Sequence, residues 1–267
     1  MGYHQVHFIS AYSVQHALII FFCLLFAIPA FSQTIVLNTA FGSPVSNDTQ
    51  TGFGDAVLGE AFKRIGYTLK TQRLPAERAL INANQGIDDG DLLRVAGLQK
   101  KYTNLIQVPE KIMTIDMVLF SKNKPAFVVN GWESVASHSL AIITGWKILE
   151  KNFARLGNRV EIIKTDNAEQ LFTLLLKDRV DFIAYSNWSG LGYLKEHNIT
   201  GITLLDPPLA RPDLYTYLHK KHKKLVPELA ATIKEMKADG TFQAMFERLL
   251  KPYLPPLQRK QYDMQGK

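Results

Sequence analysis

Apolar and polar positions along this chain follow two different periods, and each period predicts one kind of element. Short apolar runs such as TIVLNTAF (34–41) and RVDFIAYS (179–186) predict buried strands. In GFGDAVLGEAFKRIG (52–66), apolar residues recur every three or four positions, which predicts an amphipathic helix that ends at Gly66. Strand and helix patterns then follow one another from Gln33 onward.

The remaining elements continue this alternation. Pro75 suits the first position of a helix, and Asp166 with Glu169 forms an Asp-x-x-Glu variant of the capping box. Further strands are predicted at 67–74, 91–98, 114–121, 139–145 and 159–165, together with an alternating strand at the end of 204–220. Helices are predicted at 75–86, 146–157, 168–178, 226–240 and 241–254.

Strands separated by helices of about 10–15 residues predict βαβ units and mainly parallel sheets. The polar, proline-containing segments 122–125 and 204–220 are interpreted as two crossovers. The chain therefore predicts two α/β lobes joined by these crossovers. Lobe one comprises 33–121 plus 213–267, and lobe two comprises 122–212. Ligands bind beyond the carboxyl ends of strands in such sheets, so the site is expected between the lobes.

The first 32 residues differ from the rest, because they contain no Lys, Arg, Asp or Glu. The block ALIIFFCLLFAIPAF (17–31) is continuously apolar, and Ala30 and Ser32 are the small residues of a signal-peptidase site. We predict a signal peptide over 1–32, cleaved near Ser32, and a periplasmic protein. The alternative is an uncleaved membrane anchor, since the expected positive charges at the N-terminus are absent.

Cysteine content and charge narrow the chemistry. The single cysteine, Cys23, lies in the apolar block, so the processed protein would contain no disulfide, thiol nucleophile or Cys-ligated zinc. No cofactor and no metal site are predicted. The net charge is +7, but the basic residues are scattered apart from HKKHKK (219–224), which argues against a nucleic-acid partner. The charge indicates either a bias toward anionic ligands or a solvated face.

The stretch QGIDDGDLLRVAGLQ (85–99) places three aspartates before an apolar run that contains Arg94. An EF-hand would need glycine at Leu93 and glutamate at Gln99, so this stretch is not a calcium loop. The aspartates are expected to be solvated or to cap a turn. Arg94 needs an anion, because an unpaired buried guanidinium is costly. That anion is either an internal carboxylate, Asp55 or Glu77, or a ligand. If Arg94 holds the ligand, Arg94→Ala removes binding and leaves the fold intact.

Taken together, the apolar N-terminus, TGFGDAVLGEAFKRIG (51–66), RVDFIAYS (179–186) and ELAATIKEMKADGTFQAMFERLL (228–250) resemble the extracellular solute-binding proteins of family 3. The resemblance spans 33–253. It implies a two-lobe periplasmic binding protein-like fold that closes on a small ligand, with an inner-membrane ABC permease as a partner. The family's ligand-gripping arginine and amine-holding acid correspond here to Asn104 and Ser186. A small carboxylate or other polar anion therefore fits as well as an amino acid.

Topology selects the residues expected in the cleft. They end strands, begin helices or mark a strand-to-helix junction, where free N–H groups favour an anion. The aromatic members have core packing as the alternative, and Arg78 has a surface ion pair. With Arg94, the predicted ligand-binding residues are Phe41, Arg78, Gly145, Trp146, Tyr185, Asn187 and Trp188.

Two other functions stay open. Some exported proteins similar to this family act as dehydratases, and Glu77 or Asp55 would then be the acid or base. No Ser-His-Asp order or metal-ligand spacing is apparent, so we expect no enzyme. A ligand-sensing partner of a membrane receptor is the other alternative.

Overall fold

A computed structural model describes residues 32–123 and 126–254 of the chain. The described residues from Thr34 onward form one compact unit. The predicted signal peptide lies outside the described residues, except for Ser32 at its end. Within the described residues, no helix combines the length and the apolar content that a membrane span requires.

Strands and helices alternate along the described residues. The strands are β1 (Gln33–Thr39), β2 (Tyr67–Arg73), β3 (Gly90–Val95), β4 (Leu105–Thr114), β5 (Met117–Ser121), β6 (Ser139–Ile143), β7 (Glu161–Thr165), β8 (Phe182–Ser186), β9 (Thr203–Ala210) and β10 (Asp213–His219). The α-helices are α1 (Phe53–Arg64), α2 (Ala76–Gln85), α3 (Lys147–Phe153), α4 (Ala168–Leu176), α5 (Asn187–Glu196), α6 (Leu225–Ala238) and α7 (Thr241–Leu249).

The strands form two five-stranded sheets. The first has the order β2-β1-β3-β10-β4, and the second has the order β7-β6-β8-β5-β9. We call the first sheet with α1, α2, α6 and α7 lobe one, and the second sheet with α3, α4 and α5 lobe two. The α/β fold with two lobes is thus as predicted.

Both sheets are mixed, so the prediction of mainly parallel sheets was wrong in part. β1 and β3 are parallel, as are β6 with β7 and β8. β10 runs antiparallel to β3 and β4, and β5 runs antiparallel to β8 and β9. β5 and β10 are the first strands after the two crossovers. Neither is reached through a βαβ unit, the connection that makes two strands parallel, so each can run antiparallel to its neighbours.

The two crossovers lie side by side. The chain passes from β4 to β5 at Ile115 and Asp116, and returns from β9 to β10 at Arg211 and Pro212. The Ile115 amide donates to the Pro212 carbonyl at 3.1 Å, and Arg211 Nε lies 3.0 Å from Asp116 Oδ1. The second crossover falls inside the predicted segment 204–220. The first does not fall at 122–125: residues 117–121, assigned to lobe one from the sequence, belong to the second sheet.

Three elements had not been predicted. β9 contains two prolines of the segment 204–220 that was interpreted as a crossover, and it forms the edge of the second sheet. β4 contains Pro109 and alternates poorly, but it forms the edge of its sheet, where a missing N–H is tolerated. α5 contains Gly190 and Gly192, which weaken a helical pattern. A Cβ on Gly190 would lie 2.1 Å from the Phe120 ring, so the missing side chain lets α5 pack closely on β5.

The caps of two helices differ by one residue from the prediction. Pro75 is the N-cap of α2 rather than its first residue. Asn167, and not Asp166, caps α4, because its side chain accepts from the Gln170 amide at 2.9 Å. Gln170 Oε1 accepts in turn from the amide of Asp166, the residue before the cap, at 3.0 Å, so the two side chains together satisfy amides at the start of α4.

Candidate functional site

Two cavities lie between the lobes, and Ala40 and Trp146 line both of them. The larger has a volume of about 220 Å³, and an engineered cavity of about 150 Å³ already accepts benzene. The smaller has about 30 Å³, which suits water rather than a metabolite. The larger is lined by Ala40, Arg73, Leu74, Pro75 and Ala76 from lobe one and by Ile143, Trp146, Asp166, Asn167, Ala168 and Tyr185 from lobe two.

The Trp146 indole is the central group of the cleft. Its ring centroid lies 5.2 Å from that of Phe41 in lobe one, edge to face, and 4.8 Å from that of Tyr185 in lobe two. Trp146 is buried, yet its Nε1–H has no acceptor among the described residues. An unpaired buried donor costs about 1–3 kcal/mol, and the Nε1 atom itself is not exposed to either cavity.

Gly145 lets the two lobes approach closely at this point. Its φ is +88°, and a Cβ built on it would lie 2.4 Å from the Glu77 amide nitrogen. Any other residue would be strained there and would push α2 of lobe one away from the start of α3. Gly145 therefore sets the distance between the lobes beside Trp146.

Lys147 connects the lobes by charge. It forms an ion pair with Glu77 of lobe one, and its Nζ lies 2.8 Å from Glu150 Oε2 on its own helix. The Tyr102 hydroxyl donates to Glu77 Oε1 at 3.1 Å. Burial acts to raise the pKa of Glu77, but the Lys147 ammonium and the Tyr102 hydroxyl outweigh it and lower that pKa below its usual value. Glu77 is thus a charged structural partner rather than a poised acid.

Glu150 already supplies an anion to the start of α3. The Gly145 amide donates to Glu150 Oε1 at 2.8 Å. Burial works against ionisation, but the pKa of Glu150 is lowered by this amide and by Lys147. The Gly145 amide is therefore already occupied, and ligand binding at this helix start by Gly145 and Trp146 stays a prediction. Both residues nevertheless line the cleft.

Arg94 is paired inside lobe one. Its Nε donates to Asp91 Oδ2 at 2.8 Å, and its Nη2 donates to the Ala76 carbonyl at 2.9 Å. Burial raises the pKa of Asp91, and the Arg94 charge opposes that rise. The partner is thus an internal carboxylate, but it is neither Asp55 nor Glu77. Arg94 also lines the smaller cavity, so a ligand contact by its remaining N–H groups stays a prediction.

Asp55, one of the two carboxylates expected to pair with Arg94, is bonded elsewhere. Asp55 accepts from the Ser46 hydroxyl at 2.8 Å and from the amides of Asn47 and Gly52 at 3.1 Å, and so fixes the loop before α1. Burial raises its pKa despite these bonds.

The other aspartates of the 85–99 stretch also have internal partners. Asp88 accepts from the Asn38 and Asn82 side chains at 3.0 and 3.3 Å. Asp89 accepts from the Val36 amide at 2.8 Å and pairs with Lys221 and His222. Of the two expectations for these aspartates, solvation was wrong for Asp88 and Asp89, because they join β1 and the HKKHKK turn to the loop before β3.

Three predicted site residues lie outside both cavities. Arg78 is exposed on α2. Asn187 accepts from the Asp116 amide at 3.2 Å and donates its own amide to the Asp116 carbonyl at 2.8 Å, which places it at the first crossover. The Trp188 ring packs against Phe246 of lobe one at 6.2 Å. Phe41, Arg94, Gly145, Trp146 and Tyr185 are brought together, although ligand binding by them stays a prediction.

Several lining residues were missed from the sequence. Arg73 ends β2 at the mouth of the larger cavity, with its side chain half exposed and only a loose pair to Asp48 at 3.9 Å. Asp166 and Asn167 follow β7 at the same mouth. The signal available was their place at strand ends, which had been applied to β1 and β8 but not to β2 and β7.

Arg73 also faces Tyr185 across the cleft. Burial raises the pKa of Tyr185 to about 12, and the positive charge of Arg73 acts in the opposite direction. The phenol is therefore neutral at any physiological pH.

No group of three or more His, Cys, Asp or Glu side chains in 32–123 and 126–254 has a geometry that could hold a metal ion.

No protein-family model matches the chain. An uncharacterised protein of Shewanella oneidensis is 24% identical to it over 230 residues, which cover 81% of this chain and 83% of that protein.

Solved structures share the fold. An ancestral arginine-binding protein bound to arginine has a TM-score of 0.70 and 18% identity, covering 81% of this chain and 98% of that chain. The substrate-binding protein of an amino acid ABC transporter has a TM-score of 0.67 and 17% identity, covering 82% of this chain and 99% of that chain. A histidine kinase sensor domain with similarity to periplasmic binding proteins has a TM-score of 0.71 and 14% identity, covering 82% of this chain and 96% of that chain. The chain thus has the predicted two-lobe periplasmic binding protein fold.

Proposed function

We propose that the chain is a periplasmic solute-binding protein that captures a small polar or anionic ligand, an amino acid or a related carboxylate, by closure of its two lobes. The observation that carries the proposal is the cavity of about 220 Å³ whose wall comes from both lobes. A ligand in such a cavity contacts both lobes only when they are closed, so its binding free energy favours the closed state.

The paired crossovers support this proposal. The two connections run antiparallel and are joined by one backbone hydrogen bond and by the half-exposed Arg211–Asp116 pair. Few bonds between them therefore resist a rotation of one lobe against the other. Contacts that would be made and broken by such a rotation are also present beside the cavity. They are the Glu77–Lys147 pair and the approach of Gly145 to α2.

Delivery of the ligand to an inner-membrane ABC permease is part of the proposal. It is supported by the likeness to the substrate-binding protein of an amino acid ABC transporter, and the apolar N-terminus supports export to the periplasm. The likeness to the histidine kinase sensor domain favours a second candidate, a ligand-sensing protein that acts on a membrane receptor. Both roles need the same ligand-dependent closure.

A thermal-shift screen of the purified protein against amino acids, carboxylates and polyamines tests the proposal. A true ligand raises the unfolding temperature, because it binds only the folded state. Small-angle scattering of the hit should then show a smaller radius of gyration, and mass spectrometry should recover the compound unchanged. Conversion of the compound to a product would support an enzyme instead. Binding without any compaction would reject capture by closure.

A further inference from the structure

Two large apolar side chains are exposed at the end of α2. Ile81 is 41% exposed and Ile87 is 64% exposed. The Gly86 amide donates to the Ala83 carbonyl and the Ile87 amide donates to the Asn82 carbonyl, which is the Schellman ending of a helix. Apolar residues at the positions of Ile81 and Ile87 in such an ending commonly contact each other. The two isoleucines therefore form one apolar spot that the fold leaves exposed.

The HKKHKK turn (219–224) is fastened to the same helix end. Lys221 Nζ donates to the Gly86 carbonyl at 3.0 Å, and a Cβ built on Gly86 would lie 2.9 Å from the His219 ring. The His219 amide donates to the Asp89 carbonyl at 2.7 Å. The turn thus lies beside the two isoleucines. We call the surface that they share the basic patch, and its members, all exposed, are Ile81, Ile87, Lys220, Lys221, Lys223 and Lys224.

The charge of the basic patch is positive and mostly unpaired. Asp89 is turned inward with its side chain 15% exposed, and it pairs with Lys221 and His222. Glu228, in the first turn of α6, is an exposed carboxylate that follows the turn in the chain. Among the described residues, no carboxylate lies within ion-pair distance of the other three lysines, which are Lys220, Lys223 and Lys224.

The basic patch lies at the end of lobe one that is remote from the cleft. Ala76 at the start of α2 lines the larger cavity, whereas Gln85 ends α2 beside the patch, about 14 Å away along the helix axis. In β3, Gly90 pairs with Leu218 next to the turn, and Arg94 at the other end lines the smaller cavity. A partner bound to the patch therefore leaves the cleft open and lobe two free to move.

We propose that the basic patch binds lobe one to the surface of a membrane that contains anionic phospholipids. The lysines lie on the lipid phosphates, and the two isoleucines enter the boundary between headgroups and acyl chains. Charge complementarity selects an anionic partner, and the composition of the patch favours lipid over an acidic protein. Protein interfaces are depleted in lysine and enriched in arginine and aromatic residues, whereas the patch consists of lysine and isoleucine. This proposal goes beyond ligand capture and does not depend on which compound the cavity holds.

Co-sedimentation with vesicles tests the proposal. The protein that starts at Gln33 is used, because residues from Thr34 onward form one compact unit and the apolar block 17–31 would bind any vesicle. Vesicles of phosphatidylglycerol with phosphatidylethanolamine are compared with vesicles of phosphatidylcholine. We expect binding to the anionic vesicles at least tenfold more tightly at low ionic strength, and a decrease of that binding as salt screens the charges. Equal binding to both vesicles overturns the proposal. So does a lack of binding to the anionic vesicles, including the case in which the protein binds poly-L-glutamate, because the partner is then an acidic polypeptide.

Matched triple variants separate the patch from the net charge of the protein. The patch variant carries Lys220→Gln, Lys223→Gln and Lys224→Gln. The control variant removes the same charge from exposed lysines of lobe two and carries Lys151→Gln, Lys164→Gln and Lys177→Gln. We expect the patch variant to bind the anionic vesicles about tenfold or more weakly, and the control variant to keep most of its affinity. Equal losses in the two variants, with unaltered unfolding temperatures, would overturn the patch as the binding surface.

The apolar part of the patch has a test of its own. Ile87→Ser should weaken vesicle binding severalfold, because a polar side chain gains nothing from the headgroup boundary. Val128→Ser, at an exposed valine of lobe two that is 75% exposed, is the control and should bind as the wild type does. Unchanged binding by the Ile87→Ser protein would overturn insertion of this residue.

Discussion

Lys147 at the start of α3 in lobe two forms an ion pair with Glu77 at the start of α2 in lobe one. The same ammonium bonds Glu150, whose other oxygen holds the Gly145 amide. One positive charge thus joins the two lobes and orders the turn that presents Trp146 to the cleft. The Lys147–Glu77 pair joins one lobe to the other without involving a ligand, so it contributes to the closed state whether or not a ligand is present.

Replacing Lys147 should shift the lobes toward an open state. Lys147→Met removes the charge and leaves Glu77 and Glu150 facing each other across the cleft, so we expect a larger radius of gyration without ligand and weaker ligand binding. Small-angle scattering measures the first, and titration the second. Lys151→Met on the exposed side of the same helix is the matched control and should leave both unchanged.

Acid should also shift the lobes toward an open state, because it protonates Glu77 and Glu150, the two partners of Lys147. The pKa values of Glu77 and Glu150 are lowered from their ordinary value of 4.5, so their contribution is complete above that pH and is lost as the pH falls through the lowered values. We expect the radius of gyration of the wild-type protein to rise below pH 4.5. Other carboxylates also protonate there, so the test is the difference from Lys147→Met, which should show a smaller rise. Identical curves for the two proteins would contradict the assignment.

A methyl group on Gly192 should keep the lobes apart. Gly192 lies in α5 of lobe two, and a Cβ on it would lie 1.9 Å from the Ser43 carbonyl oxygen of lobe one. We expect Gly192→Ala to reduce the ligand-induced rise in unfolding temperature, although alanine favours a helix. The control is Gly59→Ala in α1, where a Cβ meets nothing within 4 Å and should stabilise the protein slightly. A normal ligand response in Gly192→Ala would show that this contact is not needed for capture.

Loss of Arg94 should act on stability. The Arg94–Asp91 pair is buried, and removing one partner of a buried pair costs about 3–5 kcal/mol because the other charge is left uncompensated. Urea unfolding of Arg94→Met should show this loss, in place of the unaltered fold expected from the sequence. The double variant Asp91→Leu with Arg94→Met should recover much of it. A fully stable Arg94→Met protein would show that Asp91 needs no countercharge.

Much of the fold could be predicted from the sequence, because strands such as 179–186 and helices such as 52–66 carry clear periods of burial. The elements that could not be predicted depend on tertiary contacts. β4 tolerates Pro109 only because it is an edge strand, and α5 needs glycines where it meets Phe120 and Ser43. The place of the first crossover was also wrong, since the pattern of 117–121 does not reveal which sheet the strand joins.

The candidate site could be predicted less well for a related reason. Strand ends and aromatic residues located Phe41, Trp146 and Tyr185 at the cleft. A sequence does not show which charges are already paired, so Arg94 was preferred although Asp91 holds it, and Arg73 was overlooked although it is loosely held at the mouth. Pairing between residues three positions apart within a strand region depends on side-chain geometry that periodicity does not encode.

A crystal structure of the protein with the compound that gives the largest thermal shift tests the central claim most directly. We predict density for that compound in the cavity of about 220 Å³, with atoms of both lobes in contact. A compound bound to one lobe alone, or at a surface away from Trp146, would contradict it.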